Sequence, residues 1–101
     1  MSLLVRYTLK DASDHDHQIA AMKALVSGLV AENVEGVIYS CFTTQDPTKF
    51  IGVLEFEDDQ GKQNFLNSGA FETYKATVGP TFANPPETED ISGIASTFQA
   101  S

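Results

Sequence analysis

Cysteine, histidine and basic residues are all scarce in this chain: one Cys, two His, and 6 Lys and Arg against 14 Asp and Glu. Each scarcity removes a class of protein. With Cys41 alone, no intramolecular disulfide framework can form, and a reducing compartment is the expected setting. The formal charge of −8 creates a long-range field that repels phosphate backbones, so neither nucleic acid nor an anionic membrane is an expected partner. His15 and His17 stand two apart in Asp14-His15-Asp16-His17, a spacing that does not put both on one helix face. No further Cys or His completes a ligand set, so they read as a solvated helix start rather than a metal site. No apolar run approaches the roughly 20 residues of a membrane helix. Nor does a basic segment lead into an apolar stretch with a small-residue cleavage site, and the expected location is cytoplasmic.

What is present is an ordinary globular composition, with 42% hydrophobic residues in 101, enough for a single domain over 1–101 with one modest core. Leu3 to Lys10 alternates, placing Leu3, Val5, Tyr7 and Leu9 on one face and Leu4, Arg6, Thr8 and Lys10 on a wetter one. This is the first strand. After cap candidates at Asp11 to Asp14, Ile19, Met22, Leu25, Val26, Leu29 and Val30 recur at three- and four-residue steps, predicting an amphipathic helix that ends near Asn33, a residue suited to the left-handed region. Gly28 lies inside it, and close approach of the helix to the sheet is one reading of that glycine.

Val37 to Thr44 and Phe50 to Glu57 are rich in β-branched and aromatic residues and flank the turn Gln45-Asp46-Pro47-Thr48, the signature of a β-hairpin. Asp58 and Asp59 offer acceptors and negative charge to a following helix start. That second helix, from Gln60 to Val78, is expected to break at Ser68-Gly69. Gly79-Pro80 ends it, Asn84-Pro85-Pro86-Glu87 reads as a loop, and Ile91 to Phe98 is the expected last strand. The order is β-α-β-β-α-β, the ferredoxin-like arrangement of a four-stranded antiparallel sheet with two helices on one face. Both hairpin strands carry apolar groups on both faces, so the face away from the helices should also be covered. A homodimer packed sheet to sheet follows as the expectation.

The segments EGVIYSCFTTQDPTKFIGVLEFED and FLNSGAF resemble the antibiotic biosynthesis monooxygenase family of dimeric α/β barrels. The family pattern of glycine, Tyr, acidic-Pro turn, E-x-W strand end and H-x-x-S-x-x-F helix is met by Gly36, Tyr39, Asp46-Pro47, Glu55, Ser68 and Phe71. Phe56 and Phe65 stand where Trp and His or Trp are usual. FLNSGAFETYK also looks like the haem-degrading branch, but its strand Asn, helix Trp and haem-ligating His correspond here to Val5, Phe65 and Lys75; the likeness does not extend to haem degradation.

The resemblance implies an apolar cavity between sheet and helices that works without metal, haem or flavin. It would hold a small aromatic or quinol-like molecule that reacts with dioxygen after losing a proton. Such a site needs aromatic walls, polar anchors and a proton acceptor. Tyr7, Tyr39, Phe42, Phe56, Phe65 and Phe71 are the wall candidates, and Tyr74, Asn64 and Arg6 the candidates for catalysis. Each has an ordinary core or surface role as its simpler reading, and Cys41 reads as a small buried hydrophobe. The alternative function is a dimeric barrel of the same fold that binds a small apolar ligand without turnover, favoured by the missing Trp and His.

Overall fold

The expected alternation orders the first strand in the computed structural model, which describes residues 1–97. Along β1 (Ser2–Thr8) Val5 and Tyr7 are buried and Arg6 is exposed. Leu9, just beyond, is buried and bridges to Phe82. Asp11 then caps a 3₁₀ turn at Ala12–Asp14 by accepting from the Ser13 N–H at 2.8 Å, and α1 (His15–Ala31) follows.

The buried stripe of α1 is Gln18, Ala21, Met22, Leu25 and Leu29. Val26 and Val30, expected on that stripe, are exposed, Val30 by 76%. The apolar arc in the sequence is therefore wider than the surface the helix covers. Asn33 takes the left-handed conformation at φ 54°, which ends the helix as its side chain allows. At Gly28 an added Cβ would lie 2.7 Å from the Cβ of Ala70. That glycine lets α1 approach a neighbouring helix, not the sheet.

β2 (Val37–Thr43) and β3 (Lys49–Phe56) form the hairpin. Its turn is held by the Asp46 carboxylate, which accepts from the Thr48 N–H at 2.9 Å and the Thr48 hydroxyl at 2.7 Å. Asp58 caps α2 (Asp59–Leu66) by accepting from the Gly61 N–H. The helix breaks as expected. Ser68 starts α3 (Gly69–Val78) by accepting from the Phe71 N–H at 3.2 Å, and Glu32 at the end of α1 accepts from the Gly69 N–H at 2.9 Å.

The last strand lies elsewhere than expected. β4 is Glu87–Ile91; Ser92 to Thr97 are outside the sheet, and Phe98 falls outside the described residues. The reason is the register with β1, which runs from Arg6 opposite Glu87 to Ser2 opposite Ile91. Partner backbone is exhausted at that point, and the salt bridge between Arg6 and Glu89 at 2.9 Å adds a cross-strand contact.

The strand order is β2-β3-β1-β4, all antiparallel, the ferredoxin-like topology. The helices and the buried core lie on one face. The other carries Leu4, Ile38, Phe42, Ile51 and Val53, with Ile38 62% and Phe42 45% exposed. Among the described residues no helix is long and apolar enough to cross a membrane.

Candidate functional site: an apolar cavity beside a tyrosine cluster

The inner sheet face and the broken helix enclose a cavity of about 400 Å³, within the size range of small-molecule sites. Leu3, Val5 and Tyr7 of β1 and Leu54 and Phe56 of β3 form its floor; Phe65, Phe71, Tyr74 and Val78 form its roof. The break at Ser68 makes this roof. It ends α2 just after Phe65 and restarts the helix just before Phe71, bringing those rings to 4.5 Å between centroids, with Phe56 6.1 Å from Phe65. Tyr7 meets Tyr74 edge to face at 6.3 Å and Phe82 at 5.5 Å. Lys62, Lys75 and Pro86, all exposed, stand at the rim.

Beside the cavity lies a polar cluster. Gln18 is fully buried and its Nε2 donates to the Tyr74 hydroxyl at 2.9 Å. An added Cβ at Gly52 would be 3.2 Å from both the Tyr7 and Tyr39 hydroxyls, so the absence of a side chain in β3 lets two phenols converge over the strand. The Gln18 Oε1 is buried without a hydrogen-bond partner among the described residues, which costs about 1–3 kcal/mol, while the Tyr39 hydroxyl faces that of Tyr7 across Gly52.

Burial pushes the pKa values of Tyr7, Tyr74 and Tyr39 well above the ordinary tyrosine range, and the charge of the neighbouring phenols reinforces the shift. Burial also raises the Cys41 thiol. All four are therefore protonated at neutral pH. They can donate hydrogen bonds; they are not bases.

Of the residues expected to form the site, Tyr7, Phe56, Phe65, Phe71 and Tyr74 do line one cavity. Tyr39 joins through its hydroxyl but lines a separate depression of about 390 Å³ between α1 and β2. Arg6 and Phe42 lie on the opposite sheet face, Arg6 held to Glu89, because strand alternation sends them away from Tyr7 and Tyr39. Asn64 also points elsewhere: its Nδ2 donates to the Glu35 carbonyl at 3.1 Å and its Oδ1 accepts from Gln60. It ties α2 to the loop before β2.

Gln18, Phe82 and Lys62 were not expected at the site. Gln18 continues the stripe Met22, Leu25, Leu29 one turn earlier, which is the signal that marks it. The histidines are not simply solvated: His15 Nδ1 is 2.8 Å from the Pro47 carbonyl and its ring 5.1 Å from Phe50, while His17 Nε2 is 3.4 Å from the Thr77 carbonyl. Among the described residues no group of three or more His, Cys, Asp and Glu converges as a metal site would require.

These features define a ferredoxin-like α+β domain with a ligand-sized cavity under its helices. No family profile matches the sequence, and no curated protein matches it. Solved structures do share the fold. A presumptive antibiotic biosynthesis monooxygenase from Bacteroides thetaiotaomicron superposes with a TM-score of 0.83 at 14% identity, covering 100% of this chain and 95% of its own. One from Caulobacter crescentus gives 0.81 at 14% identity, covering 93% and 89%, and one from Nitrosomonas europaea gives 0.77 at 14% identity, covering 94% and 100%. At that identity the likeness is one of fold, and function rests on the site itself.

Proposed function

We propose that the chain is a cofactor-independent monooxygenase acting on a small aromatic or quinol-like substrate, one molecule per cavity. The observation that carries this reading is the aromatic-walled cavity of about 400 Å³, whose floor and roof include the rings of two tyrosines that burial keeps protonated. The names of the structural neighbours agree with it. In this reaction an anthrone-type methylene loses a proton, its carbanion takes up dioxygen, and the peroxide collapses to a carbonyl and one water. The protein's part is to bind the ring system, exclude water from the carbanion and orient it. The proton leaves to solvent across the rim.

A second reading has its own support. Among the described residues no carboxylate or imidazole lines the cavity, whose titratable groups there are Tyr7, Tyr74 and the two rim lysines. A site without a base suits a binding protein that holds a small apolar ligand without turnover. Under either reading the chain pairs as a homodimer through the outer sheet face, where Ile38 and Phe42 leave apolar surface uncovered.

Oxygen uptake by the purified protein with an anthrone and hydroquinone panel separates the two. The monooxygenase reading predicts a saturable rate above buffer that 2-naphthamide, an aromatic of similar size, suppresses competitively. Binding of 2-naphthamide without uptake on any panel member selects the non-catalytic reading.

A further inference from the structure

The cations of this protein are few and unevenly placed. Of 6 Lys and Arg, Lys62 and Lys75 both border the cavity, and among the described residues no carboxylate does. Lys75 reaches Glu72 at 3.2 Å, an exposed i,i+3 pair, and lies 4.9 Å from the Phe71 ring centroid. Lys62 makes no ion pair among the described residues. Thus the rim holds one ammonium group in a weak surface pair and one outside any ion pair among the described residues, both beside apolar walls where a bound ion would be partly desolvated.

Asp58 and Asp59 stand one helical turn before Lys62, and Glu72 is paired with Lys75, but none of these acids lines the cavity itself. Glu87 and Glu89 lie opposite Arg6 and Leu4, on the outer face of the sheet. Asp90 stands across from Leu3 on the inner side but does not line the cavity. In a chain with a formal charge of −8 and 6 Lys and Arg, a mouth lined by two lysines, one of them paired to Glu72, concentrates a third of the cations at one opening. At physiological ionic strength charges beyond about 8 Å are largely screened, so a ligand in the mouth meets the lysines rather than the net charge.

Resting on the cavity reading above, we infer that the ligand is an amphiphilic anion: an aromatic ring system buried against Phe65 and Phe71, with a carboxylate or equivalent acidic group held at the rim by Lys62 and Lys75. The aromatic part supplies the apolar contact and the anion fixes which end faces out. A neutral aromatic of the same shape fits the walls but leaves both ammonium groups in water, so it binds more weakly and without a fixed orientation.

Two isosteric probes test this, 2-naphthoate and 2-naphthamide, with affinities measured by calorimetry on the intact protein at low and at physiological salt. The expected result is roughly tenfold tighter binding of the carboxylate at low salt, about 1.4 kcal/mol, with a ratio that shrinks as salt is added. Lys62→Met or Lys62→Gln brings the ratio toward one, and Glu72→Gln, which frees Lys75, raises it. The amide reports an intact cavity in every variant. Equal or tighter binding of the amide by the unaltered protein, or a ratio that neither Lys62→Met nor Lys75→Met moves, overturns the inference while leaving the cavity reading standing. If neither probe binds, both fall together.

Discussion

Both faces of the sheet carry apolar side chains and treat them in opposite ways. On the inner face Val5, Tyr7, Phe50, Leu54 and Phe56 are each no more than 6% exposed beneath the helices. On the outer face Ile38 and Phe42 of β2 remain on the surface, with Ile51 and Val53 of β3 half-buried. The inner face is finished within one chain, apart from the cavity that the helix break leaves open. Among the described residues the outer face has no second layer, and its apolar centre beside the Arg6–Glu89 ion pair is the surface that self-association would cover.

The sharpest way to break this comparison is to truncate one phenylalanine on each face. Phe50→Ala removes a ring that is 1% exposed and is expected to cost about 3–5 kcal/mol in urea unfolding. Phe42→Ala, measured below the concentration at which the chains pair, should change the stability of the folded subunit by under about 1 kcal/mol. Phe42→Asp should instead lower the mass seen by light scattering from about twice 10.9 kDa to 10.9 kDa. Equal stability losses at the two positions would show that the outer face is as fully packed as the inner.

A smaller effect tests the tyrosine cluster. Burial holds all three phenols protonated in the fold above the ordinary value of 10.0. Their contribution is complete below about pH 10 and is lost as pH rises, because the unfolded chain releases protons that the folded one keeps. Stability should fall above pH 10 by about 1.4 kcal/mol per pH unit for each tyrosine. Tyr7→Phe should remove one share of that slope, and absorbance at 295 nm should show tyrosinate appearing only with unfolding. Tyrosinate forming in the folded protein at pH 10 would mean that the cluster is open to water.

Much of the fold was legible because the residues that end and turn the chain act locally. Asn33 in the left-handed region, the Asp46 turn, the Asp58 cap and the Ser68 break each stand where the sequence points. The last strand was not legible. Glu87 to Asp90 are polar and exposed, with no apolar alternation to mark a strand, and they become one only through the backbone groups of β1. Glu-Thr-Glu-Asp also suits an edge, where charge discourages further pairing.

The cavity walls were legible as aromatics, but which side each occupies was not, since a strand apolar on both faces gives alternation no sign. Phe42 fell on the wrong side for that reason. Arg6 could have been placed correctly from the wetter face of its own strand. Gln18 was passed over because it is polar, although it continues the stripe of Met22, Leu25 and Leu29; the packing of α1 against α3 buries it against Tyr74.

Methyl-resolved NMR during a titration with 1-naphthol tests most directly the division of labour between the two faces. The inner cavity as the ligand site predicts saturable shifts for the methyls of Leu3, Val5, Leu54 and Val78, which line it, with Ile38, Ile51 and Val53 on the outer face unmoved. Shifts confined to the outer-face methyls, or none anywhere at millimolar ligand, would contradict it.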